Sequence, residues 1–322
     1  MSSASLPPVA GGAVSVAFLG TPAAAVPALR ALAATLPVAA VLCNPDKPQG
    51  RGRHLEPPPV KAAAQEAGIP VFQPASWKAP EARAQWESLA IDLAIVVAYG
   101  HILPRWMLDS CRLGVWNLHF SILPRWRGAA PVNHAILAGD AETGVALMRL
   151  TPGMDEGPVL AQTRRPIGGA DTAPELMARL APDGAALLQE WLGRLCEGSA
   201  APLAQVGEPT LACKLSREMA RLDPARPAAS IHRQVRALLP WPGTELILPG
   251  APLKVCGVGA LRPAEDPAGT LRWDRGGARF ACGDGLAVEL TLLQRPGKPV
   301  QPALQALQPF GAAGVRRIES GD

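Results

Sequence analysis

Between Val14 and Cys196, short apolar runs alternate with stretches of helical composition, and this alternation confines the fold more than any other feature of the 322 residues. Val14–Leu19 reads as a fully apolar strand. Gly20-Thr21-Pro22 then opens a helix, with Thr21 as N-cap and Pro22 at the first helical position. Strands follow at Val38–Cys43, Pro70–Phe72, Asp92–Ala98, Val115–His119 and Val145–Leu150. Helices are expected at Val60–Ala67, Pro80–Leu89, Ala130–Ala138 and near Ala173–Cys196. Asp92–Ala98 (DLAIVVA) is almost continuously apolar, as a central strand covered on both faces must be. The pattern predicts an α/β domain of Rossmann-like design, an open and mostly parallel sheet with helices on both faces. Only Gly20 marks the first turn, so the G-x-G-x-x-G of a dinucleotide site is missing.

The length calls for two domains. Composition shifts at Glu197–Pro209 (EGSAAPLAQVGEP), which reads as a linker. The expected division is 1–206 for the catalytic domain, with the linker from about 197, and 207–322 for a C-terminal domain. In the second part, Ser230–Leu239 has helical spacing with Ser230 as N-cap. Short strands follow at Glu245–Leu248, Leu253–Val258, Thr270–Trp273, Ala278–Ala281 and Leu286–Leu293. They suggest a small antiparallel barrel of OB-like type. Charge supports the division. Residues 1–206 hold 16 basic and 16 acidic side chains, while 207–322 hold 15 and 11, so the whole net charge of +4 sits C-terminally and could face a polyanion. Apolar runs stop short of membrane-spanning length. The first residues, MSSASLPPVAGG, lack the basic start of a secretory leader. The six cysteines form no C-x-x-C, which fits reduced thiols and a cytoplasmic protein rather than a disulfide frame or zinc site.

Chemistry concentrates in Gly114–Pro131 (GVWNLHFSILPRWRGAAP). Alternation along an extended strand sends Asn117 and His119 to the same side. They come at a strand's C-terminal end, where open α/β sheets bind ligands. The loop behind them holds two prolines and two arginines and is too polar for core. Asp155 lies in the turn TPGMDEG, between Gly153 and Gly157, where a carboxylate can be aimed freely. An amide, an imidazole and a carboxylate suit acyl-type transfer between two bound substrates. Asn117 and protonated His119 would stabilise an oxyanion, and Asp155 would favour the charged ring or accept the amine's proton. A serine hydrolase is disfavoured, since Ser121 is the only nearby hydroxyl and no G-x-S-x-G is present. Tyr99, the only tyrosine, ends the central strand, which invites a ligand role although packing is the commoner reason. Residues 44–59 (NPDKPQGRGRHLEPPP) form a long basic loop whose Lys47, Arg51, Arg53 and His54 could meet phosphates.

The run NLHFSILPRWRGAAP is similar to the N-x-H-x-S-L-L-P-R-x-R-G-A-x-P signature of the 10-formyltetrahydrofolate-dependent formyltransferases. FLGTP at 18–22, PDKPQGRGRHLEPPPVK at 45–61, VVAYGHILP at 96–104, GDAETGV at 139–145 and MDEG at 154–157 resemble segments of that family's methionyl-tRNA branch. KLSREMARLD at 214–223 and LPWPGT at 239–244 carry the likeness past the linker. The resemblance implies that Asn117, His119 and Asp155 are catalytic. It implies that Ser121, Ile122, Leu123 and Pro124 line the folate site, with Ile122 for the usual Leu, and that Tyr99 contributes there. It also implies that Lys47, Arg51 and Arg53 contact initiator methionyl-tRNA and that the C-terminal domain grips it. The implied co-substrate is 10-formyltetrahydrofolate, with no metal, no membrane and a monomeric enzyme. Pro224 and Leu239 depart from the family's usual Trp and Asn, which touches only the tRNA grip. Two alternatives stand beside this. One is a formyltransferase of the same fold acting on an amino-sugar nucleotide or releasing formate. The other is a non-catalytic RNA-binding protein.

Overall fold

The computed structural model describes residues 14–49, 54–248 and 251–318. It divides into two units, one holding the described residues up to Pro131 with Glu142–Arg165 and Met177–Ala212. The other holds Val132–Ala141, Pro166–Leu176 and the described residues from Cys213 onward.

The first unit is built on a seven-stranded sheet. Its strands are β1 (Val16–Gly20), β2 (Val38–Leu42), β3 (Val71–Phe72), β4 (Leu93–Val97), β5 (Gly114–His119), β6 (Ala146–Arg149) and β7 (Val159–Gln162). Their order is β7-β6-β5-β4-β1-β2-β3. β3, β2, β1, β4 and β5 run parallel, while β6 and β7 are antiparallel additions. The parallel strands are covered on both faces, which is why β1 and β4 are apolar at every position and fully buried. Ala17, Leu19, Ala94, Val96 and Val115 meet an aromatic-rich cluster around Trp77, Trp86 and Tyr99. Trp86 comes from α3 (Pro80–Ser88), after α1 (Val26–Thr35) and α2 (Pro59–Glu66). Met107 joins the cluster from a short helix, α4 (Arg105–Ser110), which the residue pattern does not announce. Opposite, Leu118 and Val145 pack close to Gly184 of the 25-residue α6 (Ala173–Glu197), which follows α5 (Pro131–Ala138).

Two local expectations change. Thr21 is not an N-cap. Its hydroxyl donates to the Tyr99 carbonyl at 3.2 Å and accepts the Asn44 amide at 3.3 Å, tying the ends of β1, β2 and β4 together. The chain instead makes a 3₁₀ turn at Ala23–Ala25 before α1. The 44–59 segment is not a featureless loop either, since Lys47–Gln49 and His54–Glu56 pair as short antiparallel strands.

The second unit is an antiparallel sheet over a helix. Its strands are β8 (Thr244–Leu248), β9 (Ala251–Pro263), β10 (Thr270–Asp274), β11 (Gly277–Ala281), β12 (Leu286–Gln294), β13 (Gln301–Pro302) and β14 (Gly314–Arg317). The order is β8-β9-β12-β11-β10-β14, with β13 on β12. β9 pairs along β12 with three register shifts between Val255 and Leu261. Such bulges sharpen twist and curl a sheet on itself, which gives the OB-like half-barrel. Helix α7 (Ala228–Ala237) closes its core through Ala228, Ile231 and Val235. Pro227, not Ser230, stands at its N-cap, so Ser230 lies within the first turn.

Candidate active site

Asn117 and His119 sit at the end of β5, on one face as their spacing requires, with 9% and 5% of their surface exposed. β6 runs antiparallel to β5, so its last residue, Arg149, lies beside Trp116 rather than beside His119. The β6–β7 connection must therefore come back over roughly 10 Å, three residues of strand, to bring Asp155 to the imidazole. Gly157 makes this return possible, because a Cβ there would overlap the Arg149 carbonyl. The result is a contact of 3.6 Å between Asp155 Oδ2 and His119 Nδ1.

The loop Ser121–Gly128 holds the other side of the ring. His119 Nε2 is 2.8 Å from the Trp126 carbonyl. A carbonyl only accepts, so Nε2 carries the hydrogen and Nδ1 is turned to the carboxylate. The Gly128 amide donates to Asp155 Oδ2 at 2.8 Å. Trp126 has φ +63° and Gly128 φ +115°, and a Cβ on Gly128 would lie 2.7 Å from the Ala212 carbonyl, so glycine is required there. Asp155 itself has φ +50°. Non-glycine residues in that region are uncommon, and their gathering around one imidazole marks a site held in place by its surroundings.

Those surroundings include the stretch that composition marks as linker, 197–209, and the residues just past it. Arg127–Gly128 pairs in parallel with Leu211–Ala212. The Trp126 amide donates to Thr210 Oγ1 at 2.9 Å, and the Arg127 amide to the Thr210 carbonyl at 2.9 Å. Leu203 bridges Val159 of β7. Gln205 reaches both Arg127 and the Asp155 turn. No hydrophobic period or motif singles out Gln205 or Thr210, because their bonds go mostly to backbone groups of segments distant in sequence.

The other expected site residues divide. Ser121 is fully buried and its hydroxyl donates to the Arg125 carbonyl at 2.6 Å, bracing the loop from within. Leu123 packs with Ala146 and Met148, while Ile122 and Pro124 are partly exposed. The Tyr99 ring is 2% exposed and lies 6.5 Å from Trp77, with burial pushing its hydroxyl pKa up. Its ring belongs to the aromatic core rather than to the group formed by the trio. Lys47 is exposed at the start of the strand Lys47–Gln49, beside an ion-pair and amide cluster of Lys61, Asp46 and Gln73. Arg51 and Arg53 lie outside the described residues. Burial raises the thiols of Cys43 and Cys111 to about 11 and Cys282 to about 12, so none of these is a nucleophile near neutral pH.

An amide and an imidazole at a strand end, with a carboxylate turned onto the ring, are the kinds of group that a transfer through a tetrahedral oxyanion requires. By matches to the family models "Formyl transferase" over residues 15–192 and "Formyl transferase, C-terminal domain" over 214–311, the chain belongs to the formyl transferases. Within that family it is similar to the methionyl-tRNA formyltransferase of Xanthomonas axonopodis pv. citri, 49% identical over 88% of this chain and 93% of the relative. The enzyme of that name from Methylococcus capsulatus is 45% identical over 94% and 98%. Among solved structures, the sugar 3N-formyl transferase WlaRD superposes with a TM-score of 0.64 at 18% identity, covering 90% of this chain and all of that one. The N-formyltransferase from Helicobacter canadensis gives 0.65 at 17%, over 88% and 99%. At that identity the likeness carries the fold.

Proposed function

We propose that this enzyme transfers the formyl group of 10-formyltetrahydrofolate to the α-amine of methionyl initiator tRNA. The observation that carries this is the meeting of Asn117, His119 and Asp155 at one sheet end in a chain 45–49% identical to methionyl-tRNA formyltransferases.

The amine attacks the formyl carbon, and the carbonyl oxygen becomes an oxyanion. Asn117 can donate its amide to that oxygen. His119 Nε2–H, held by a neutral carbonyl at 2.8 Å, is drawn to the charged oxygen, because charge-assisted hydrogen bonds are roughly twice as strong as neutral ones. Asp155 opposes the positive charge that gathers on the ring. The attacking nitrogen loses one proton and the departing folate nitrogen gains one, so the His119–Asp155 pair has a single proton to relay. Holding both substrates beside this group supplies much of the acceleration by orientation alone. Ile122, Leu123 and Pro124 line the folate side, with Ser121 stiffening the loop beneath them. Tyr99 contributes through the wall its ring supports. Lys47, Arg51 and Arg53 contact tRNA phosphates, and the basic half-barrel adds to that grip. We propose 1–206 and 207–322 as the functional division, in a monomer acting in the cytoplasm. No helix among the described residues is long and apolar enough to cross a membrane. Formyl transfer to charged initiator tRNA, compared with charged elongator tRNA, tests the proposal. Equal rates on both, or transfer to neither, would refute it.

A further inference from the structure

We propose that Gln205 is a positioning residue for the reaction, fixing the turn that carries Asp155 to the loop that carries the Trp126 carbonyl. The proposal rests on the catalytic reading of Asp155 given above. The Gln205 amide nitrogen donates to the Asp155 carbonyl at 2.7 Å and to the Gly157 carbonyl at 2.8 Å. Its oxygen accepts from Arg127 Nη2 at 2.8 Å and Nε at 3.0 Å. The two ends of the amide are not interchangeable here. Carbonyls only accept and a guanidinium only donates, so the partners themselves set which end is nitrogen.

These bonds close a ring. From Gln205 it passes through the backbone of Asp155 to its carboxylate, then to the Gly128 amide at 2.8 Å, and back through Arg127. Asp155 needs such restraint, since φ of +50° is not a conformation a free turn residue keeps. A carboxylate on a loosened turn would still reach His119, but in only part of the population. Since a catalytic group misplaced by about 1 Å can lose two orders of magnitude in rate, partial occupancy lowers kcat. Gln205 touches neither His119 nor Asn117 through any of these bonds, so its whole effect runs through Asp155 and the loop.

The test is a double-mutant cycle in the full chain, with formyl transfer from 10-formyltetrahydrofolate to methionyl-tRNA as readout. Gln205→Leu is expected to lower kcat about tenfold, with KM for the folate within twofold. Gln205→Glu, of the same shape, keeps the acceptor for Arg127 but turns an oxygen toward two carbonyls, and is expected to lose at least as much. In an Asp155→Ala background, Gln205→Leu is expected to cost nothing further. An equal penalty in both backgrounds overturns the proposal, since Gln205 would then act independently of Asp155. Full activity of Gln205→Glu overturns it as well. If Gln205→Leu does not fold, Gln205→Glu carries the same comparison. An Asp155→Ala variant that keeps native turnover overturns the site reading itself, and this proposal with it.

Discussion

Replacing Asp155 by Asn is the sharpest single probe of the site. The amide keeps the shape and can still accept the Gly128 amide, so the change removes a charge and little else. Two opposite unit charges about 4 Å apart attract by about 1 kcal/mol in water and about 4 kcal/mol at an effective dielectric near 20. The pair stands at 3.6 Å with side chains 6% and 16% exposed, so the higher figure applies more closely. About 3 kcal/mol of stabilisation is then lost wherever His119 must carry positive charge in the transition state. At 1.36 kcal/mol per decade this is roughly a hundredfold fall in kcat. Single-turnover formyl transfer with both substrates saturating isolates the chemical step, and thermal melting checks the fold. A variant that melts like the native protein and retains turnover within threefold would refute the electrostatic role of Asp155.

Asn117→Ala and His119→Ala are each expected to lower kcat by about two orders of magnitude, roughly the worth of one oxyanion donor, in the same single-turnover assay. Arg51→Ala with Arg53→Ala is expected to weaken tRNA binding and flatten its salt dependence, with the slope falling by about one for each phosphate no longer neutralised and folate affinity unchanged in binding titrations. Asp92 supplies a pH-dependent stability. Burial pushes its carboxyl up, but Arg112 Nε at 2.6 Å and the Ser15 amide at 2.9 Å outweigh this and hold its pKa below the ordinary value. A lowered folded pKa stabilises above the unfolded value, about 4, and that contribution vanishes as pH falls through the folded one. Asp92→Asn is therefore expected to melt below the native chain at pH 7, with the gap closing as pH falls through the folded pKa of Asp92.

The parallel core of the first unit was legible because burial on both faces leaves an unmistakable mark. LAIVV and VAFLG can hardly be anything but covered strands. Asn117 and His119 were legible because two-residue spacing on a strand is geometry that sequence states outright. Strand β7 left no such mark, since its residues are half-exposed and serve an edge. Thr21 had the chemistry of a cap, but a carbonyl and an amide from neighbouring strand ends competed for its hydroxyl and won. The 197–209 stretch misled most. Its Gly, Pro and polar content signals an unstructured connection, yet Leu203 and Gln205, with Thr210 just beyond, are bound to β7, the Asp155 turn and the Ser121–Gly128 loop. Those bonds go mostly to main-chain groups, which look the same beneath every side chain, so no residue pattern announces them.

The pairing of Leu211–Ala212 with Arg127–Gly128 decides where this chain can be spliced. A hybrid that takes a relative's C-terminal half from 207 onward also replaces the backbone neighbours of its own Ser121–Gly128 loop, and any slip there displaces the Trp126 carbonyl. A seam at Cys213 leaves them at home. Recombination between family members should accordingly tolerate crossovers just past Ala212 far better than crossovers inside the Gly- and Pro-rich stretch that looks, on paper, like the natural joint.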